Sequence, residues 1–311
     1  MASAREMRLR IRSVENIAQV TRALEAVSAS RVRKAEQRVR QTRPYASKAW
    51  QVLRHLSLQP GRDMVHPLLT HREVVENILV VLVSGDRGLA GAYNTNVIRY
   101  TLEAFQNSSA EVTYITVGRK GRDMLLRRRK NILAEFSNLP KEPTFADVSA
   151  IGRIAIDEYL ESKADQVWLV YTDFVNLLRQ IPASKLLLPV ELEEIPIGAN
   201  IADVQPSVGE HEGPEPTYIY EPSRDVLVDE IVPRLTELQI YQAIIESLAS
   251  EHAARMVTMR NATENAVDLA DALRLEYNKA RQWAITSDML DIAGGAEALA
   301  QSQDLCNKSP E

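Results

Sequence analysis

Residues 225–305 read DVLVDEIVPRLTELQIYQAIIESLASEHAARMVTMRNATENAVDLADALRLEYNKARQWAITSDMLDIAGGAEALAQSQDL, with no proline after Pro233 and no glycine before Gly294. Apolar or small residues recur at steps of three and four: Leu238, Ile245, Ala249, Met256, Met259, Ala266, Ala270, Leu273, Tyr277, Ala280 and Ala284. An average step near 3.5 is the seam of a left-handed coiled coil, narrower than the stripe of a globular surface helix. A helix of about 80 residues would extend roughly 120 Å at 1.5 Å per residue. Such a helix needs a partner of similar length to cover its seam.

The other end of the chain supplies a matching run from Ala4 to about Leu58, interrupted in pattern only at Pro44. Its seam is Met7, Ile11, Val14, Ile17 or Ala18, Thr21, Leu24, Val27 or Ser28, Val32 and Ala35, continued by Val39, Thr42, Ala46, Ala49, Leu53 and Leu56. From Ala4 to Leu56 there are thirteen basic and four acidic residues, a net +9; from Ser223 onward there are eight basic and fifteen acidic, a net −7. Opposite charges predict that the two helices pair with each other, and the chain between them makes the pairing antiparallel. Many seam positions are small, so the helices are expected to approach closely.

The segment between them changes period. Asn77–Ser84 (NILVVLVS) reads as a strand buried on both faces. Glycines at Gly85, Gly88 and Gly91 then lead into a helix from about Thr95. Val112–Val117 is a second strand, followed by a basic helix to Arg129. Ala146–Leu160 is a third helix, Gln166–Thr172 another strand, and Lys185–Leu192 a last strand placed at an edge by Pro189. Alternating strands and helices predict a parallel, Rossmann-like α/β domain. The expected division is 1–75 as the first coiled-coil helix, 76–209 as the α/β domain and 210–311 as the second helix. Residues 198–222, rich in Pro, Gly and Glu, read as a connecting loop.

Composition narrows the chemistry. Cys306 is the only cysteine, which excludes an internal disulfide and a cysteine-rich metal centre, and the five histidines have no ligand spacing. No stretch approaches a membrane span, and the amphipathic, basic N-terminal run lacks a secretory pattern. The glycine loop is spaced GxxGxxG, neither the dinucleotide fingerprint nor a P-loop, and no acidic residue ends the next strand to hold a ribose. Asp86 and Arg87 read as a local turn and salt bridge. No catalytic triad or dyad is visible. The basic N-terminal helix has almost none of the aromatic interleaving that nucleic-acid stacking needs. No cofactor, metal or nucleic acid is therefore expected.

Three blocks together resemble the gamma subunit of F-type ATP synthase over nearly the whole chain. They are Arg8–Arg31; Ser84–Asn96, similar to the family's SDRGLCG segment but with Gly85 added and Ala90 and Ala92 substituted; and Ser250–Gly295. The resemblance implies a long antiparallel coiled coil plus a central Rossmann-like α/β domain. It implies a central rotor shaft, itself without a catalytic group, that couples proton-driven c-ring rotation to conformational cycling of the catalytic beta subunits. Implied partners are the alpha3beta3 hexamer, the epsilon subunit and the membrane c ring. By the same resemblance Leu24, Arg281, Gln282 and Thr286 are expected to face beta, with Trp283 replacing a usually small residue. Arg22, Arg31, Arg33 and Lys34 form a basic surface suited to acidic loops of beta. Tyr218, Tyr220 and Glu221 are expected in the foot that meets epsilon and the c ring. No regulatory cysteine insert of the chloroplast kind is present, and the expected location is peripheral, on the cytoplasmic side of a bacterial plasma membrane. Two other readings compete with this one: a nucleotide-binding α/β enzyme with coiled-coil arms, and a coiled-coil nucleic-acid-binding protein.

Overall fold

The computed structural model describes residues 4–58, 66–191 and 224–307. The order is α1 (Ala4–Leu58), a 3-10 turn (Pro67–Leu69), β1 (Asn77–Val83), α2 (Tyr93–Ala104), β2 (Glu111–Val117), α3 (Arg119–Arg127), β3 (Asn131–Phe136), α4 (Phe145–Leu160), β4 (Gln166–Phe174), β5 (Gln180–Leu188) and α5 (Arg224–Asn307). Contacts divide the chain across the long helices: one compact unit is 1–25 with 259–311, the other 26–258.

In the larger unit the sheet order is β3-β2-β1-β4-β5. The first four strands are mutually parallel, and β5 runs antiparallel to β4. The all-parallel expectation is therefore corrected at this edge. The connection from Phe174 to Gln180 is a tight loop closed by Asn176, whose side chain accepts from the backbone N–H groups of Leu178 and Arg179. So short a link makes a hairpin, whereas a parallel return needs a crossover of a dozen residues or more. β3 was absent from the sequence expectations, and it alternates half-buried Ile132, Ala134 and Phe136 with exposed neighbours, as a one-sided edge strand does.

β1 shows how residue order builds the layers. Leu79, Val81 and Val83 enter one buried cluster with Val148, Ile151 and Ala155 of α4 and Val228, Val232, Leu235, Ile240 and Ile244 of α5. Ile78, Val80 and Leu82 enter the opposite cluster with Val97 and Ile98 of α2 and Leu125 of α3. Alternate side chains of a strand point to opposite faces, so one heptapeptide nucleates both cores. The first third of α5 is thus a core helix of the α/β unit. In the same unit α1 packs on it through Val32, which is buried with Ala249, Ala253 and Phe174.

Pro44 does not end α1, which continues to Leu58. A proline inside a helix removes one N–H donor and crowds the preceding turn, which a long helix absorbs as a local bend. Pro233 lies likewise inside α5.

The lower rim of the sheet is pinned by Asp165. Its carboxylate accepts from the Arg72 guanidinium at 2.8 Å and from the backbone N–H groups of Glu76 and Asn77, both at 2.9 Å. Arg72 also donates to the Tyr159 carbonyl at 2.6 Å and stacks on its ring. Burial opposes ionisation of Asp165, but these donors outweigh it and hold the carboxyl below its usual range. A depressed carboxyl stabilises the fold above its unfolded-state value and loses that contribution as pH falls through the folded-state value. Asp165→Asn is expected to cost about 2–4 kcal/mol, because Arg72 is left half-buried without its counter-charge. Urea unfolding at pH 7 measures this, and the gap between variant and parent should close below pH 4.

Candidate partner interface

In the smaller unit α1 and α5 run antiparallel. Arg8 donates to the Tyr277 hydroxyl at 2.9 Å and lies over its ring, Glu15 pairs with Arg274, and the Thr21 and Thr263 hydroxyls meet at 2.7 Å. The Glu15–Arg274 pair has the acid on α1 and the base on α5, opposite to the net charges of the two runs. It is exposed, and such pairs contribute little. What brings the helices together is the seam of small residues: Ala18, Thr21, Thr263, Ala266 and Ala270 are all buried. Of the alternatives Ile17 and Ala18 the seam takes the alanine, and Ile17 is 52% exposed with Val20 beside it at 58%. Leu24 is half-buried on the same side of α1 as these two. In the larger unit Ser28 is likewise buried and Val27 exposed.

Beyond Tyr277, α1 has one further described turn to offer, and α5 continues to Asn307. From Arg281 to Leu299 its side chains are exposed except for half-buried Ser287, and they include Trp283, Ile285, Met289, Leu290, Ile292 and Leu299. At about 100° per residue, Arg281, Gln282 and Thr286 fall within roughly 140° of the helix circumference, and Ile285, Met289 and Ile292 lie in the same arc. The three polar residues named from the sequence are therefore brought to one face, among apolar neighbours. Thr286 donates to the Gln282 carbonyl at 2.9 Å, which leaves the Arg281 and Gln282 side chains pointing to solvent. Exposed apolar surface of this extent marks a site that another molecule covers. Tyr218, Tyr220 and Glu221 lie outside the described residues, as does the 198–216 loop.

The glycine loop of the larger unit is engaged by α5. The Gly85 N–H donates to the Asn94 side chain at 2.8 Å. A Cβ on Gly85 would stand 2.9 Å from the Glu251 carboxyl carbon, and one on Gly91, where φ is +55°, would stand 2.7 Å from the Thr258 hydroxyl. Two of the three glycines therefore stand where the helix approaches, and the Gly85 N–H is already committed to Asn94. Arg255 bonds Glu251 and donates to the Gly88 carbonyl at 3.2 Å. Asp86 does not form its main contacts with Arg87, as the sequence had implied. Its carboxylate accepts from the Arg119 N–H at 3.1 Å and the Asn138 N–H at 3.0 Å, tying the ends of three strands together. These contacts come from residues remote in sequence, which local turn chemistry cannot anticipate.

With this geometry in hand, the chain can be set beside known proteins. Residues 3–299 match the family model described as "ATP synthase". The chain is 41% identical over 301 residues to the ATP synthase gamma chain of Dehalococcoides mccartyi strain CBDB1, covering 96% of this chain and all of that one. It is 42% identical over 303 residues to that of Chloroflexus aurantiacus strain J-10-fl, covering 96% and 99%. The chain belongs to the ATP synthase gamma chain family. Its fold is shared with the rotor of Euglena gracilis mitochondrial ATP synthase in rotational state 1, with a TM-score of 0.62 at 21% identity over 91% of this chain and 98% of that one. A second structure of that enzyme, OSCP/F1/c-ring in rotational state 3, gives 0.67 at 20% identity over 99% and 97%.

Membership of the gamma family makes the chain a subunit of ATP synthase. Among the described residues no helix is long and apolar enough to cross a membrane, and no cluster of His, Cys, Asp and Glu is suited to a metal ion. His252 sits in the α5 face beside the glycine loop, with Arg255 at 3.3 Å from its ring nitrogen. Burial, then the charges of Arg255 and Arg31, pushes its pKa down to about 4. The folded ring is thus neutral while the unfolded one takes a proton below about 6.5. Stability is expected to fall as pH drops from about 6.5 toward 4, and His252→Gln should flatten that decline. An NMR titration of the imidazole protons checks it: the midpoint should lie near 4, well below the model-peptide value.

Proposed function

We propose that this chain is the central rotor shaft of an F-type ATP synthase, carrying torque between a proton-driven c ring and the beta subunits, where ATP is made or hydrolysed. The observation that carries the reading is the end of α5, an exposed apolar helix with Arg281, Gln282 and Thr286 on one face, in a chain of the gamma family. Under this reading the chain contributes no catalytic group, which agrees with a glycine loop engaged by its own helix. In functional terms the segments 1–75 and 210–311 supply the shaft and 76–209 the domain between them, with the first third of α5 also serving the α/β core.

The partners are the alpha3beta3 hexamer, the epsilon subunit and the c ring. The complex holds the chain at the cytoplasmic face of the plasma membrane without a span of its own. Leu24, Arg281, Gln282 and Thr286 face beta, with Trp283 adding apolar area beside them. Of the basic surface expected to suit acidic loops of beta, Arg22, Arg33 and Lys34 are exposed, although Lys34 already shares Glu142 with Arg38, while Arg31 is half-buried and lines a cavity of the larger unit. Tyr218, Tyr220 and Glu221 meet epsilon and the ring. Coupling follows from linkage: each shaft angle favours one beta conformation over another, and moving a two-state equilibrium from 1:99 to 99:1 needs about 5.5 kcal/mol of differential contact energy.

Tagging the chain in its host and solubilising the membranes gently is expected to recover three alpha and three beta subunits per tagged chain, with epsilon and ATPase activity. Recovery of the chain alone, or with nucleic acid, would overturn the reading. Within such complexes, Arg281→Ala with Gln282→Ala removes hydrogen bonds worth about 1.5–3 kcal/mol each when charge-assisted. Proton-driven ATP synthesis by membrane vesicles should fall roughly tenfold or more with subunit composition unchanged. Tyr220→Ala with Glu221→Ala should instead loosen the c ring and epsilon; intact ring attachment and synthesis in that variant would remove those two residues from the interface.

A further inference from the structure

A cavity of about 380 Å³ opens at the carboxyl ends of β1 and β2, lined by Arg31 of α1, Ser84, Asp86 and Arg87 of the glycine loop, Gly118, Asn138 and Lys141, and by Glu251, His252 and Arg255 of α5. Open α/β sheets bind ligands outside the carboxyl ends of their strands, and this volume is in the range of small-molecule sites. The usual anion donors of such a crevice are already committed. Gly85 N–H goes to Asn94, and the first N–H of α3 goes to Asp86.

The charges give the cavity its character. Both carboxylates in it are neutralised from within the chain: Asp86 by two backbone N–H groups and the Arg119 guanidinium at 3.8 Å, Glu251 by Arg255. Nearby Glu142 is held by Lys34 and Arg38. Arg31, Arg87 and Lys141 then remain, and their side chains form no hydrogen bond or ion pair with a described residue. Arg31 is half-buried, so its charge is not freely hydrated. Three uncompensated cations from three separate segments, half-buried Arg31 and exposed Arg87 and Lys141, thus line one concave site.

We infer that this cavity binds a phosphate group, either free orthophosphate or the terminal phosphate of a nucleotide, held by Arg31, Arg87 and Lys141. Arginine forks match phosphate oxygens, and a lysine adds a point charge. His252, neutral at pH 7, lines the same cavity and adds no charge to it. A compact anion suits the site because its volume is small and the three cations line one open cavity. Its lining shares no residue with the face of Arg281, Gln282 and Thr286, and it does not depend on the rotor reading.

The test is equilibrium dialysis of the full-length chain, at low ionic strength, against radiolabelled orthophosphate and separately against labelled ADP. One equivalent per chain is expected. Arg31→Gln and Lys141→Gln should each weaken it about tenfold or more, and thermal melting should be unchanged because neither side chain bonds within the described structure. Binding of orthophosphate that competes with ADP assigns the phosphate moiety common to both. Binding of ADP alone assigns a nucleotide, and binding of orthophosphate alone assigns the free ion. Failure of both ligands to bind overturns the inference. So does undiminished affinity in the Arg31→Gln, Arg87→Gln double variant, or non-stoichiometric uptake that salt abolishes, the signature of diffuse surface attraction.

Discussion

Two serines of α5 hold the backbone of β4. The Ser247 hydroxyl accepts from the Thr172 N–H at 3.1 Å, and the Ser250 hydroxyl donates to the Thr172 carbonyl at 3.2 Å. A helix can reach a strand's main chain only where side chains between them are short, and buried Ala243, Ala249 and Ala253 supply that clearance. Once α5 is fixed there, Glu251 and Arg255 fall on the glycine loop, Thr258 falls on Gly91, and Val32 of α1 finds its apolar seat. The carboxyl edge of the sheet, which in enzymes of similar topology is left open for a cofactor, is here covered at β4 by the protein's own helix, leaving the cavity beside β1 and β2. The constraint also explains why an α/β core and a long helix share residues instead of meeting through a linker.

Small residues set the helix pairing in the same way. Burying alanine, serine and threonine gains little hydrophobic energy per layer, about 25 cal/mol for each Å² removed from water. It lets two helices approach closely, and it turns the larger apolar residues outward. That inversion is unusual, since folding alone would put Ile17 and Val20 inside and Ala18 outside. The arrangement makes sense if the outer surface is the one selected for contact.

Much of this was visible in the residues. The α5 seam, the α1 seam as far as Thr42, and strands β1, β2 and β4 follow from periods of 3.5 and 2 that no tertiary interaction has to supply, whereas Arg281, Gln282 and Thr286 were named from the family resemblance. The side chains of Ala46, Ala49, Leu53 and Leu56 lie outside the described residues. The choice between Ile17 and Ala18 was not visible, because both fit a three-four alternation and only the distance between helices separates them. β3 was missed since its six residues mix charge with a half-buried face, and a one-sided edge strand carries too few apolar residues to stand out. The direction of β5 depended on a loop closed by Asn176, and the partners of Asp86 on residues 33 and 52 positions away. The reason for the added Gly85 lies in Glu251, which leaves no room for a Cβ there.

The exposed end of α5 has a mechanical consequence. Apolar contact is non-directional and scales with area, so a helix clothed in Trp283, Ile285, Met289, Leu290 and Ile292 can slip past an apolar wall with little change in energy. Hydrogen bonds depend steeply on angle and distance, so under the proposed rotor reading Arg281 and Gln282 would act only where a matching group comes round. On that reading the same few turns of helix would combine a low-friction bearing with a small number of detents.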